Sequence, residues 1–87
     1  MLNFNKKDVM MMRYSIVKKQ DKNTHEVAET IKRALTANAW EYDEDDPELV
    51  ICVGGDGTLL YGVHQYMDSI NKLMFLGIHT GTLGFFT

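Results

Sequence analysis

The sequence predicts a three-layer α/β fold built on a parallel sheet, and three observations support this. Residues 49–53 (LVICV) form a continuous, largely β-branched run, which is typical of an interior strand covered on both faces. Apolar residues recur at helical spacing on either side of this run. Glycine-rich turns follow this run and the apolar run at 73–78. In parallel α/β sheets, ligand loops lie at such strand ends.

The elements follow in the order strand, helix, strand, glycine turn, helix, strand. A strand is predicted over 13–17 and a polar loop over 18–23. Asn23 is predicted to cap the first helix, with Glu26 at the capping-box position three residues later. A second helix is predicted from Thr58 to about Asp68. The apolar face of the first helix is predicted to hold Val27, Ile31, Ala34 and Leu35.

The chain is predicted to form one domain over 13–87, preceded by a disordered extension over 1–12. Regular patterning begins only at Arg13, and 87 residues suffice for one small core but not for two domains. The apolar residues Leu83, Phe85 and Phe86 stand at the very end of the chain. Three strands and two helices leave apolar surface uncovered, so we expect a fragment of a larger protein.

The composition of the chain excludes several classes of protein. The formal charge is −3, and the basic residues occur as scattered doublets, including Lys18-Lys19, that we interpret as solvated surface. Nucleic-acid binding is therefore not expected. No stretch has the pattern of a signal peptide or a membrane span. Cys52 is the single cysteine and is predicted to be buried rather than reactive, which is consistent with a cytoplasmic protein.

Other polar residues have two interpretations each. The acidic run at 41–46 is better explained as a solvated loop before Pro47 than as a metal site, because an EF-hand's glycine and distal glutamate are missing. His64 is predicted to pack or hydrogen-bond on the second helix, and His25 to lie on the surface. His79 ends the last strand and is left open between packing and ligand contact. No pair of histidines has zinc-site spacing.

The turn at 54–58 (GGDGT) predicts an anion site. Gly54 and Gly55 allow the backbone to turn sharply and to approach a ligand closely. The helix that follows presents unpaired N–H groups and the positive end of its dipole, which suits phosphate. The spacing of Gly54, Gly55 and Gly57 matches neither the P-loop nor the Gly-x-Gly-x-x-Gly fingerprint.

Asp56 is the unusual residue of this turn. A carboxylate there would repel phosphates unless a metal intervened, or it would face an acceptor hydroxyl as a hydrogen-bond acceptor or general base. A structural alternative makes Asp56 or Thr58 a helix N-cap within a plain tight turn. The two interpretations are not exclusive.

These residues support a family resemblance. The turn at 54–58 resembles the Gly-Gly-Asp-Gly-Thr motif shared by NAD kinases, diacylglycerol-type lipid kinases and, more loosely, 6-phosphofructokinases. The segment 76–85 (LGIHTGTLGF) resembles the Gly-x-Leu-Gly-Phe segment that follows the next strand in NAD kinases. The two motifs occur in the order and at the spacing found in the NAD kinase family, and the resemblance to that family covers 13–87, nearly the whole chain.

The resemblance implies a Rossmann-like N-terminal domain of a two-domain kinase. It implies transfer of phosphate from ATP or polyphosphate, with Mg²⁺ or another divalent cation, to the adenosine ribose 2′-hydroxyl of NAD. Asp56 matches the catalytic aspartate. It also implies a cytoplasmic homodimer or homotetramer without membrane or nucleic-acid partners, and no metal-ligating residue is assigned. The matched NAD-binding positions are Asp56, Gly57, Leu60 and Phe85, and the phosphate loop is Gly54, Gly55, Gly57 and Thr58.

The chain departs from the family in two ways. It lacks the second domain, with its Asn-Glu or Asn-Asp motif, and no basic residue adjoins Asp56 in the sequence. We therefore expect the 87 residues alone to be inactive or nearly so. Two other functions remain open, namely a diacylglycerol-type lipid kinase, which shares the first turn only, and a short non-catalytic nucleotide-binding or interaction module.

Overall fold

The computed structural model describes residues 12–80 of the chain. The predicted strands and helices occur along it in the predicted order, with one additional short strand. The elements are β1 (Arg13–Lys18), α1 (Lys22–Ala37), β2 (Glu41–Tyr42), β3 (Leu49–Gly54), α2 (Asp56–Gln65), a 3₁₀ helix (Met67–Lys72) and β4 (Met74–His79).

The four strands form one parallel sheet in the order β2-β1-β3-β4. The chain leaves β1 toward β2 on one side, whereas it leaves β3 toward β4 on the other. The strand order therefore reverses between β1 and β3, and open α/β sheets bind ligands outside the carboxyl ends of the strands at such a point. Lys18 pairs with Val53 at these ends, and Gly54 pairs with His79.

Helices cover both faces of the sheet, which confirms the predicted three-layer α/β fold. On one face, Ile51 and Val53 pack with Tyr14 and with Ala28 of α1. On the other face, Val50 and Cys52 pack against a set of partly buried residues from α2 and the segment after it, namely Leu59, Tyr66, Leu73 and Phe75. Alternate residues of β3 thus serve two cores, which explains its continuous apolar run.

Helix α2 is held close to the sheet at its middle and at its end. A Cβ on Gly62 would lie only 2.5 Å from Cys52 Sγ, so glycine lets the helix approach β3 there. At the end of the helix, the Tyr66 hydroxyl donates to the Glu44 carbonyl at 2.7 Å and lies 3.0 Å from Ser15 Oγ. These contacts orient α2 so that its first turn meets the carboxyl ends of the strands.

Cys52 is buried, as predicted, with 2% of its surface exposed. Burial raises the pKa of its thiol because desolvation disfavours the thiolate. Thiolates are the reactive form of cysteine, so the position favours packing over chemistry.

The first half of the chain departs from the sequence prediction at three points. Strand β2 was not predicted, because two residues are too few to show a period. The prediction that Asn23 caps the first helix is wrong, since the cap is Asp21, whose side chain accepts a hydrogen bond from Thr24 N at 2.8 Å. Asn23 lies inside α1. Of the predicted apolar face, Ala34 is exposed, whereas Ala28, which was not assigned to that face, is buried.

The second half departs mainly in its boundaries. Helix α2 begins at Asp56, two residues before the predicted start, and the predicted end of the helix falls in the 3₁₀ segment. Strand β4 begins and ends one residue later than predicted. The predicted apolar surface without a partner is present on β4, where Met74 and Leu76 are 57% and 47% exposed.

The predicted disordered extension over 1–12 lies outside the described residues except for Met12. The Met12 carbonyl accepts a hydrogen bond from Glu41 N at 2.8 Å, so this residue joins the edge of the sheet. Between residues 12 and 80, no helix has the length and apolar character needed to cross a membrane.

Candidate phosphate-binding site

Gly54 ends β3 and begins the turn predicted to bind phosphate. Its φ angle is +156°, and a Cβ there would lie 2.5 Å from Thr58 Oγ1 and 3.0 Å from Lys19 Cβ. Any larger residue would push the start of α2 and the end of β1 away from the strand. Gly54 therefore has a packing role that holds the turn tight.

Gly55 and Gly57 differ from Gly54 because their surroundings are open. A Cβ at either position would meet no heavy atom within 4 Å among the described residues. Neither position has a packing reason to be glycine in this part of the chain. Their open space leaves the backbone accessible to a ligand, whereas Gly54, which was also predicted to approach a ligand closely, is packed.

The N-terminus of α2 lacks a side-chain cap. The N-cap is Gly55, so the prediction that Asp56 or Thr58 caps the helix is wrong. The Gly55 carbonyl accepts from Thr58 N and Leu59 N at 3.1 Å each. Among the hydrogen bonds of residues 12–80, none uses the N–H groups of Asp56 or Gly57. These two donors and the helix dipole can therefore receive an anion.

Asp56 is the first residue of α2, and its side chain is 94% exposed. Its Oδ1 lies 3.4 Å from Nε2 of His79, the last residue of β4. The contact follows from the sheet register, which pairs His79 with Gly54. The structure therefore brings His79 to the site and leaves its side chain 72% exposed rather than packed, and ligand contact by His79 stays a prediction.

Thr80 joins the site to α1. Its N–H donates to the Gly54 carbonyl at 3.0 Å, and its carbonyl accepts from Asn23 Nδ2 at 3.2 Å. Its hydroxyl lies 2.8 Å from Thr24 Oγ1, and Thr24 is buried. Thr80 therefore joins the end of β3 to the first turn of α1. The predicted ligand segment beyond it, including Phe85, lies outside the described residues.

Lys19 and Asp21 also lie at the site, beside the glycine turn, and the sequence did not predict this placement. Lys19 N donates to the Val53 carbonyl at 3.0 Å, so Lys19 lies beside the glycine turn. Asp21 Oδ2 lies 3.8 Å from Lys19 Nζ. Hydrogen bonds from Thr24, and then the charge of Lys19, hold the pKa of Asp21 below its usual value. Thus a basic residue does lie next to the turn in space, although none adjoins Asp56 in sequence.

The remaining candidate residues vary in placement. Leu60, predicted to line the NAD pocket, is 71% exposed on α2 and is free to contact a ligand. His25 is exposed, as predicted. The prediction that His64 packs is wrong, because it too is exposed.

The acidic run forms a solvated turn. Asp43 Oδ1 accepts from Asp45 N and Asp46 N at 3.0 and 3.1 Å, and Asp46 lies 3.7 Å from the Arg13 guanidinium. Within 12–80, no three acidic, histidine or cysteine side chains cluster as metal ligands. The solvated-loop interpretation therefore agrees with the contacts of these carboxylates.

Comparison with known proteins finds relatives that are named as NAD kinases. The chain is 43% identical over 75 residues to NAD kinase 1 of Bacillus cereus and 44% identical to NAD kinase 1 of Bacillus subtilis. It is 45% identical over 73 residues to an NAD kinase of Geobacillus stearothermophilus. These matches cover 84–86% of the chain but only 27–28% of each relative. No family model matches the chain.

Proposed function

We propose that this chain, a homologue of the NAD kinases over most of its length, is the N-terminal part of such a kinase. The reaction would transfer a phosphoryl group from ATP or polyphosphate to the adenosine ribose 2′-hydroxyl of NAD, which gives NADP. The observation that supports this is the open, uncapped start of α2, from which the Asp56 carboxylate projects beside His79.

Binding of the phosphoryl donor, ATP or polyphosphate, is assigned to the backbone of the turn at 54–58. The N–H groups of Asp56 and Gly57 lack acceptors among the described residues, and the Gly55 and Gly57 surfaces are open. Preorganised donors of this kind stabilise charge that develops on a transferred phosphoryl group. Gly54 and Thr58 are assigned a structural role in the turn, because they pack against each other.

Asp56 is assigned as the group that orients and deprotonates the acceptor hydroxyl. A carboxylate at this place can accept the hydroxyl proton as the oxygen attacks the phosphorus atom. Holding the two substrates in line supplies much of the rate in such reactions. His79 contacts the same carboxylate and so limits the orientations that it samples.

The residues of the site could bind the proposed divalent cation only together with the phosphates of the substrate. Asp56 is the one carboxylate at the glycine turn in the described part of the chain, and Mg²⁺ is commonly held by one or two carboxylates together with substrate phosphates. When bound, Mg²⁺ would neutralise phosphate charge beside Asp56. The acceptor is assigned to Gly57, Leu60 and Phe85, of which Leu60 presents an exposed apolar side chain.

The test is the activity of the intact protein that carries this chain. We expect Asp56→Asn to lower kcat by at least about 100-fold, because general-base assistance contributes on the order of 10² to 10⁴ in rate. The fold should be unaffected, since the Asp56 side chain is 94% exposed. Asp68→Asn is the matched control, because it makes the same charge change at an exposed residue of the 3₁₀ helix.

The acceptor distinguishes the two kinase classes. NAD and diacylglycerol are offered to the intact protein with ATP and Mg²⁺, and we expect only NAD to be phosphorylated. Phosphorylation of the lipid but not of NAD would reject the proposal in favour of a lipid kinase. A native stop codon after Thr87 would instead favour a short binding module. We also propose that the purified 87 residues form no measurable NADP alone, and that the intact protein is a cytoplasmic homodimer or homotetramer.

A further inference from the structure

Lys19 occupies a position that the proposed reaction does not yet use. It follows β1 directly, and its N–H donates to the Val53 carbonyl at 3.0 Å. A Cβ built on Gly54 would lie 3.0 Å from Lys19 Cβ, so the lysine side chain leaves the backbone in contact with the glycine turn. Lys19 thus lies at the carboxyl ends of β1 and β3, the two strands between which the strand order reverses.

The ammonium group of Lys19 is available to a ligand. Its Nζ is 3.8 Å from Asp21 Oδ2, which is beyond hydrogen-bond distance, and the side chain is 62% exposed. The other oxygen of Asp21 is already bonded to Thr24 N. Asp21 therefore attracts the lysine without fixing it, and the flexible side chain can turn toward the glycine turn.

The glycine turn itself needs a positive charge. The only charged residue in the first turn of α2 is Asp56, which is negative. The helix N-terminus supplies the equivalent of roughly half a positive charge, whereas the phosphates of a nucleotide carry several negative charges. A lysine binds phosphate as a compact point charge. Lys19 contacts this turn through Gly54.

We propose that Lys19 is a phosphate-binding residue, whose ammonium pairs with the donor phosphates held at the Gly54–Thr58 turn. This rests on the proposed function, and it assigns a role to a residue that sequence interpretation left as solvated surface. Asp21 then acts as a positioning residue that keeps the ammonium at the rim of the turn until phosphate binds.

The experiment measures binding of inorganic tripolyphosphate to the intact protein by calorimetry, together with the KM values for ATP and NAD. We expect Lys19→Gln to weaken tripolyphosphate binding about tenfold, the usual size for loss of one charge-assisted contact. The KM for ATP should rise by a similar factor while the KM for NAD stays the same. Lys19→Arg should restore most of the affinity, and the salt dependence of binding should become shallower in Lys19→Gln.

Lys22→Gln is the matched control, since it removes the same charge three residues away, in the first turn of α1. We expect it to change tripolyphosphate affinity less than twofold. Three results would overturn the proposal: no tripolyphosphate binding by the wild type, unchanged affinity in Lys19→Gln, or an equal loss in Lys22→Gln. A lower melting temperature with unchanged affinity would show that Lys19 only supports Asp21. A wild type that binds tripolyphosphate but does not phosphorylate NAD would reject the kinase assignment alone.

Discussion

Helices α1 and α2 both begin at the carboxyl edge of the same parallel sheet, yet their first turns are built differently. The first turn of α1 is closed by its own sequence, because Asp21 bonds Thr24 N with its side chain and His25 N with its carbonyl. The first turn of α2 has glycine at the N-cap and no side-chain bond. An anion would be repelled by the Asp21 carboxylate at α1, whereas the first N–H groups of α2 have no acceptor among residues 12–80. A helix N-terminus is thus a ligand site only where the protein leaves it uncapped.

The two turns also depend on each other. Lys19 comes from the turn before α1 and contacts Gly54, and Thr80 bonds both Gly54 and the first turn of α1. The capped first turn of α1 therefore helps to position the uncapped first turn of α2. Three further predictions, besides those for Asp56 and Lys19, test whether the two first turns have these different roles.

The largest effect is expected at Gly54. Gly54→Ala should lower the free energy of unfolding by about 3 kcal/mol, because the added Cβ meets Thr58 Oγ1 at 2.5 Å and the backbone φ of +156° is unfavourable for alanine. Urea unfolding of the two proteins measures the difference. Gly57→Ala is the control, and it should be neutral or slightly stabilising, since its Cβ meets nothing and alanine favours helix. Equal losses in the two variants would refute the distinction between packing and open glycines.

A smaller effect is expected at the cap of α1. Asp21→Ala should destabilise the protein, whereas Asp21→Asn should retain most of the cap because its amide oxygen can still accept from Thr24 N. The measurement is thermal unfolding as a function of pH. The pKa of Asp21 is lowered in the folded state from 3.8, so its contribution is complete above that pH and is lost as the pH falls through the folded-state pKa. The difference between wild type and Asp21→Asn should shrink at acid pH.

The smallest effect on stability, and the sharpest test of the comparison, comes from capping α2. Gly55 has the extended backbone of an N-cap, with φ −132° and ψ −163°, so serine can be accommodated. We expect Gly55→Ser to stabilise the protein by about 0.3 kcal/mol, as serine caps exceed glycine by a few tenths. The same variant should weaken tripolyphosphate binding, because the hydroxyl occupies a donor and fills the open space. Tighter anion binding in Gly55→Ser would contradict the proposed site.

The sequence predicted most of what lies close together along the chain. The buried run at 49–53, the two helices and the glycine turn were all identified from local pattern, and the turn was placed correctly at the end of a strand. The cap of α1 was missed because Asp21 and Asn23 are both acceptable caps. In the structure the Asn23 side chain donates instead to the Thr80 carbonyl, 57 residues away. Strand β2 was missed because two residues carry no period.

The sequence alone predicted the order of elements, the burial of β3 on both faces and the turn that is suited to phosphate binding. These depend on periodicity and residue type, which neighbouring residues encode. Only the tertiary structure decided which groups surround that turn. The strand order and the register of the parallel sheet bring Lys19 to Gly54 and His79 to Asp56. Those contacts join residues more than twenty positions apart, and no local pattern specifies such distances.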